Sequence, residues 1–196
     1  MNTLFIQSGL TPGSYYQFKL RAENYVGLSP FSRFVRIIAA SVPQPPVNLV
    51  RVSSTTSSVT FSWSPNAVNG GASVFDYAVY WDGGDSNLLP NQFTEAHDTT
   101  YNITSFTETQ LTKGSYYRFV VQAQNDAGYS DFSSVIRLLV AIVNTEPLSL
   151  RMTYRDELSI KLAWNQPAID VGSAVKNYLV SQLNDFTSSW AVIGST

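Results

Sequence analysis

Few residues in this chain are of a type that does covalent or metal chemistry, and their spacing decides what each can do. His97 is the only histidine, in Thr94-Glu95-Ala96-His97-Asp98, and the chain has no cysteine. That removes thiolate nucleophiles, disulfides and cysteine-based zinc sites together. A lone loop histidine without a placed acid and oxyanion donor makes no Ser-His-Asp set. No Gly-x-Ser-x-Gly elbow, phosphate loop or dinucleotide fingerprint occurs. Asp82-Gly83-Gly84-Asp85 offers two carboxylates where calcium takes 6–8 oxygens, so it reads as a hairpin turn. Asn102-Ile103-Thr104 fits the N-glycosylation acceptor pattern, with an unmodified asparagine as the alternative. The chain is therefore expected to be non-enzymatic, with no cofactor and no metal.

Composition points the same way. Charged residues make up 13% and hydrophobic residues 44% of 196 residues, which favours an ordered apolar core over a charge-rich tail. The net charge is −2 with neither sign clustered, so the basic stripe of a nucleic-acid binder is missing. The start, MNTLFIQSGL, lacks the basic segment and apolar length of a signal peptide. The longest apolar run, Leu138 to Val143, is far below the roughly 20 residues of a membrane-spanning helix. No membrane insertion is expected in this segment.

The elements that position these residues repeat. Leu10 to Ser32 and Leu111 to Ser133 are identical at 13 of 23 aligned positions, and Trp63 and Trp164 are also 101 residues apart (164 − 63). A period of one domain's length means a tandem array. Alternation of apolar and polar residues is clear at Val59-Phe61-Trp63, Tyr77-Val79-Trp81, Tyr117-Phe119-Val121-Ala123 and Tyr16-Phe18-Leu20-Ala22. Period two with one apolar face predicts half-buried antiparallel strands. Turn residues separate them at Asn69-Gly70-Gly71, Asp82 to Asp85, Lys113-Gly114-Ser115 and Asp126-Ala127-Gly128. The fold class is all-β, as two-sheet sandwiches.

Pro45-Pro46-Val47-Asn48-Leu49, Val59 to Trp63 and Tyr77 to Trp81, followed by Leu111 to Tyr117 and Phe119-x-Val121-x-Ala123-x-Asn125-x-x-Gly128-x-Ser130, resemble a fibronectin type III domain. The resemblance implies tandem fibronectin type III (immunoglobulin-like) sandwiches. It assigns Tyr16 and Tyr117 to the tyrosine-corner position, whose hydroxyl bonds to nearby backbone, and Trp63 and Trp164 to the buried tryptophan of strand B. All four are structural core residues on this reading. Asn102 falls at the start of strand E, near the surface.

Proline-bearing joints at residues 42–46 and 144–147 mark boundaries. They divide the chain into residues 1–42, resembling strands E to G; residues 43–143, a complete domain; and residues 144–196, resembling strands A to C′. At the 101-residue offset the two end pieces together lack only the equivalents of Ala96 to Tyr101. Half a sandwich leaves apolar faces and edges uncovered. Either the chain is a window on a longer array, or the C-terminal half of one copy pairs head to tail with the N-terminal half of another, which generates a filament.

The function expected is that of a structural or adhesive element in such an array, with other protein domains, including copies of itself, as partners. The alternative is an accessory ligand- or protein-binding module of a larger cell-surface receptor or secreted enzyme. The Arg-Gly-Asp triplet and the Trp-Ser-x-Trp-Ser signature of cytokine receptors are absent, and Arg155-Asp156-Glu157 reads as a charged turn. Tyr80, Tyr116, Tyr129 and Phe132 are expected to leave aromatic surface, of the kind that packs on a neighbour or anchors a partner. The location expected is extracellular or cell-surface, with a cytoskeletal, intracellular array as the alternative.

Overall fold

The computed structural model describes residues 4–97, 101–167, 171–184 and 187–196. The chain is all-β and separates into two compact units. One holds the N-terminal residues to Ser53 with Val59–Glu108 and Tyr116–Leu138; the other holds Ser54–Ser58, Thr109–Ser115 and the residues from Leu139 onward.

In the N-terminal stretch, β1 (Tyr15–Phe18) pairs antiparallel with β4 (Val35–Ile38), and β2 (Glu23–Asn24) with β3 (Gly27–Leu28). The Asn24 side-chain oxygen accepts from the Val26 and Gly27 amides and so holds the β2–β3 turn. Two expectations fail in this stretch. Residues 4–8, matched to strand E through Phe5, form no strand, and the alternation from Tyr16 to Ala22 yields a strand that stops at Phe18. The repeat explains both. One period on, the strand holding Phe106 is laddered to the strand holding Phe61, whereas among the described residues β1 pairs with β4 alone.

The full sandwich comprises β5 (Val47–Ser54), β6 (Val59–Ser64), β7 (Asp76–Trp81), β8 (Thr94–His97), β9 (Ser105–Glu108), β10 (Tyr116–Asn125), β11 (Gly128–Tyr129) and β12 (Ile136–Leu139). One sheet has the order β5-β6-β9. The other runs β11-β10-β7-β8, with β12 also on β10. Phe61 faces Phe106 in the first sheet and Val79 faces Val121 in the second. The inner faces meet through aromatic rings: Phe61 to Phe119 at 5.0 Å and Trp63 to Tyr77 at 5.5 Å between centroids. Strict alternation in β6, buried at Val59, Phe61 and Trp63 and half-buried between, follows from one face in the core and one toward solvent. In β7 and β10, Ala78 and Val120 on the opposite face are also buried. That outer face has a cover, since Phe132 in the segment after β11 meets Tyr80 edge-on at 5.3 Å. Tyr80 and Phe132 therefore occupy each other rather than standing out as aromatic surface.

The C-terminal strands are β13 (Leu148–Arg155) paired with β14 (Ile160–Asn165), and β15 (Leu179–Asn184) paired with β16 (Ser189–Ser195). A tight turn at Asp156 closes the β13–β14 hairpin. Its carboxylate accepts from the Leu158 and Ser159 amides and from the Tyr154 hydroxyl. The Leu158 amide, then the Tyr154 and Ser159 hydrogen bonds, hold this carboxyl below the usual aspartate range.

Candidate interaction surface

The cleft in the C-terminal strands is built from the same residue positions as the core of the full sandwich. Trp164 on β14 meets Tyr178, just before β15, edge-on at 5.3 Å. This is the Trp63–Tyr77 contact moved by 101 residues (178 − 77). The two contacts differ in what covers them. Trp63 is 4% exposed and Tyr77 1%, whereas Trp164 and Tyr178 are half-buried, in a cleft with Pro147, Leu150, Leu162 and Leu179. Ile160 and Leu162 are 68% and 43% exposed where their equivalents Val59 and Phe61 are fully buried.

The N-terminal strands are open in the complementary sense. Leu20 is 74% exposed where its equivalent Val121 is fully buried, and Ile37 is 54% exposed where its equivalent Leu138 is buried. At both ends, positions whose equivalents are buried in the complete domain face solvent. Scattered apolar residues on a surface are ordinary; inward-facing strand positions left exposed together are not.

The two tyrosine-corner positions differ in burial. The Tyr16 hydroxyl accepts from the Thr11 amide at 2.9 Å, and this hydrogen bond lowers its pKa from the ordinary tyrosine value. Tyr117 is buried, and its ring stacks on Trp81 at 5.8 Å and 25°. Asn102 is exposed, at φ +65° in the turn before β9, a conformation that asparagine adopts more readily than most residues. His97 ends β8.

Asp82 is occupied by protein. Its carboxylate takes the Arg118 Nε at 2.7 Å and the amides of Gly84 and Arg118 at 2.9 and 3.2 Å. The Arg118 guanidinium also donates to the carbonyls of Asp85 and Leu88, both at 2.9 Å. Asp82 to Asp85 is thus a turn clamped by a nearly buried ion pair. Sequence reasoning placed Arg118 on the polar side of its strand but gave no signal that pairs it with Asp82, because Asp82 follows a different strand. It also missed Asn125, which is 1% exposed and donates from Nδ2 to the carbonyls of Ser41 and Asn69, both at 2.8 Å. Among the described residues no group of histidine, aspartate or glutamate side chains is placed to hold a metal ion, and no helix is long and apolar enough to cross a membrane.

This geometry defines a class: an immunoglobulin-like sandwich with sheets of three and five strands. The family model for the fibronectin type III domain matches residues 43–138, so the chain contains a fibronectin type III domain there. Human Myomesin-2 is 26% identical over 201 residues, covering 98% of this chain and 13% of its own length. Chitinase A1 of Niallia circulans is 31% identical over 149 residues, covering 71% of this chain and 19% of its own length. The chain thus spans less than a fifth of these relatives. Among solved structures, domains A168–A170 of titin superpose with a TM-score of 0.50 at 22% identity, over 67% of this chain and 43% of that one, a likeness of fold.

Proposed function

We propose that this chain is a non-enzymatic structural or adhesive element of a fibronectin type III array, and that its open C-terminal half-core is a docking site for strands of the kind found at its own N-terminus. The observation that carries the reading is the repeated Trp–Tyr contact, closed at Trp63–Tyr77 and open at Trp164–Tyr178. What β10 and β12 supply to the first, β1 and β4 of another copy supply to the second, which gives head-to-tail association. Similarity to Myomesin-2 over nearly the whole chain supports a role in which the array itself is the working part. Similarity to a chitinase supports the second reading, an accessory module of a larger secreted enzyme or receptor. An extracellular or cell-surface location fits the exposed Asn102 acceptor; a cytoskeletal array fits an Asn102 that stays unmodified.

Light scattering and electron microscopy of the purified chain across a concentration series test the docking. Association that grows with concentration and is abolished by Leu162→Asp is expected. A monodisperse monomer at the highest concentrations sinks the head-to-tail reading. Production through a secretory route, with the mass compared before and after glycosidase, tests the location; loss of a mass shift in Asn102→Gln identifies the site.

A further inference from the structure

The joints on either side of the complete domain are built alike. At the first, the Gly13 amide donates to the Ala39 carbonyl at 2.9 Å, the Ala39 amide to the Ser14 carbonyl at 2.9 Å, and the Ser41 amide to the Gly70 carbonyl at 2.9 Å. At the second, Gly114 donates to Val140 at 2.9 Å, Val140 to Ser115 at 3.0 Å, and Ile142 to Val171 at 3.2 Å. Each residue of the second set lies 101 positions beyond its counterpart. Gly13 and Gly114 have φ of +77° and +79°; Gly71 and Gly172 have +86° and +84°. Each joint lies inside one of the two compact units.

At the first joint the approach at Gly13 and Gly70 is backbone on backbone; at the second it is so at Gly172, while the buried Val171 stands where Gly70 does. A Cβ on Gly13 would stand 2.6 Å from the Gly71 carbonyl oxygen, and one on Gly70 would stand 2.0 Å from that of Ser41. One period on, a Cβ on Gly172 would stand 2.7 Å from the Val140 carbonyl oxygen and 2.9 Å from the Gly114 nitrogen. At the first joint Asn125 adds a three-way tie, donating to Ser41 and Asn69 while its Oδ1 accepts from the Ala127 amide at 2.8 Å. The Tyr15 hydroxyl adds a further bond, to the Asp126 carboxylate at 3.0 Å. A flexible linker has none of these features. Its amides are solvated, and its glycines need no close neighbour.

We propose that the Gly70-Gly71 turn, and its Val171-Gly172 repeat, is a docking site whose partner is the preceding domain's glycine corner (Gly13, Gly114) and outgoing strand (Ser41, Ile142), so that successive domains are locked rather than hinged. The lock gives the array reading its stiffness but does not depend on association between chains, so the two can fail separately.

The test uses the full chain, dilute enough to be monomeric, and reads amide hydrogen exchange. In the wild type the Ser41 and Ile142 amides are protected. Gly70→Ala speeds exchange at Ser41 at least tenfold and leaves Ile142 unchanged; Gly172→Ala does the reverse. Gly83→Ala is the control, since Gly83 has φ +60° and a Cβ there would meet nothing within 4 Å. It leaves both amides protected. Protection at Phe119 and Val121 in the sandwich reports that each variant is folded. If Gly70→Ala does not fold, Asn125→Asp takes its place, removing both Nδ2 donations while keeping the acceptor for Ala127. Wild-type exchange at unstructured rates at Ser41 and Ile142, or equal effects of Gly70→Ala and Gly83→Ala, overturns the proposal.

Discussion

Truncating the two repeat-related tryptophans separates a closed core from an open one within a single chain. Trp63 is 4% exposed and contacts Phe61 and Tyr77 at 5.8 and 5.5 Å between ring centroids. Removing so large a buried ring leaves a cavity, and Trp63→Ala costs about 3–5 kcal/mol. That is a large fraction of the roughly 5–15 kcal/mol that holds a domain together. Trp164 keeps the tyrosine contact but sits half-buried in an open cleft. With roughly half the burial and no enclosed cavity to leave, Trp164→Ala costs the dilute chain about 2 kcal/mol. If a second copy closes the cleft, the Trp164→Ala penalty at high concentration rises toward that of Trp63→Ala. A rise of about 2 kcal/mol is roughly a 30-fold change in the association equilibrium. Denaturant unfolding followed by intrinsic fluorescence, at protein concentrations spanning two decades, reads both numbers. Equal penalties for the two variants in dilute solution would refute the closed-versus-open reasoning. A Trp164→Ala penalty that does not move with concentration would refute the docking.

Three further outcomes follow from single contacts. The Tyr77 hydroxyl and the Trp63 indole nitrogen are buried without a hydrogen-bond partner among the described residues, and burial raises the Tyr77 pKa. Removing an unsatisfied hydroxyl relieves its desolvation cost, so Tyr77→Phe leaves the midpoint unchanged or raises stability by about 1 kcal/mol; a loss above that means the hydroxyl has a partner. Arg118→Met strips the ion-pair partner from a nearly buried Asp82 that keeps two backbone donors; it costs about 3 kcal/mol in denaturant unfolding, and Asp82→Asn made in the same chain recovers part of it. Tyr15 has its pKa raised above the ordinary tyrosine value of about 10, chiefly by its hydrogen bond to Asp126 and then by that carboxylate's charge. A raised folded pKa means the contribution is fully present below pH 10 and is lost as pH rises through the folded value. The protection factor of the joint amides, which is the base-catalysed intrinsic rate divided by the observed exchange rate at the same pH, therefore falls as Tyr15 ionises, and Tyr15→Phe abolishes that fall.

The parts of the fold that could be read from the sequence are those whose signal is local or periodic. Alternation at Val59-Phe61-Trp63 maps onto β6 because one face is buried and the other is not, which is what a period of two reports. The same alternation at Tyr16 to Ala22 misled, because a strand persists only as far as it has partners, and partners are tertiary information. Ala78 and Tyr80 read as an outer, solvated face. The cover over that face comes from Phe132, some fifty residues away, at a distance no local pattern reports. Asp82 was legible as a turn residue, but its arginine lies on another strand, and sequence spacing alone does not pair them.

The glycines carry the most instructive gap. Gly114, Gly70 and Gly71 read as turn residues in the sequence, each explained by the left-handed backbone a turn requires, and Gly13 is the repeat of Gly114. That explanation is sufficient for Gly9 and Gly83, which have positive φ and open space where a side chain would go. It is insufficient for Gly13, Gly70 and Gly172, where a carbonyl oxygen from across the joint fills that space. The repeat carries part of the signal: Gly9 aligns with Gln110, which takes φ +59° with a full side chain, while Gly13 aligns with Gly114 and Gly71 with Gly172. It does not carry all of it. Gly70, whose added Cβ would stand 2.0 Å from the Ser41 carbonyl oxygen, aligns with Val171, and Gly27 and Gly128 are glycine in both copies although no backbone presses on either. Glycine kept in both copies therefore marks a left-handed turn as readily as a close approach, and only the packed backbone tells the two apart.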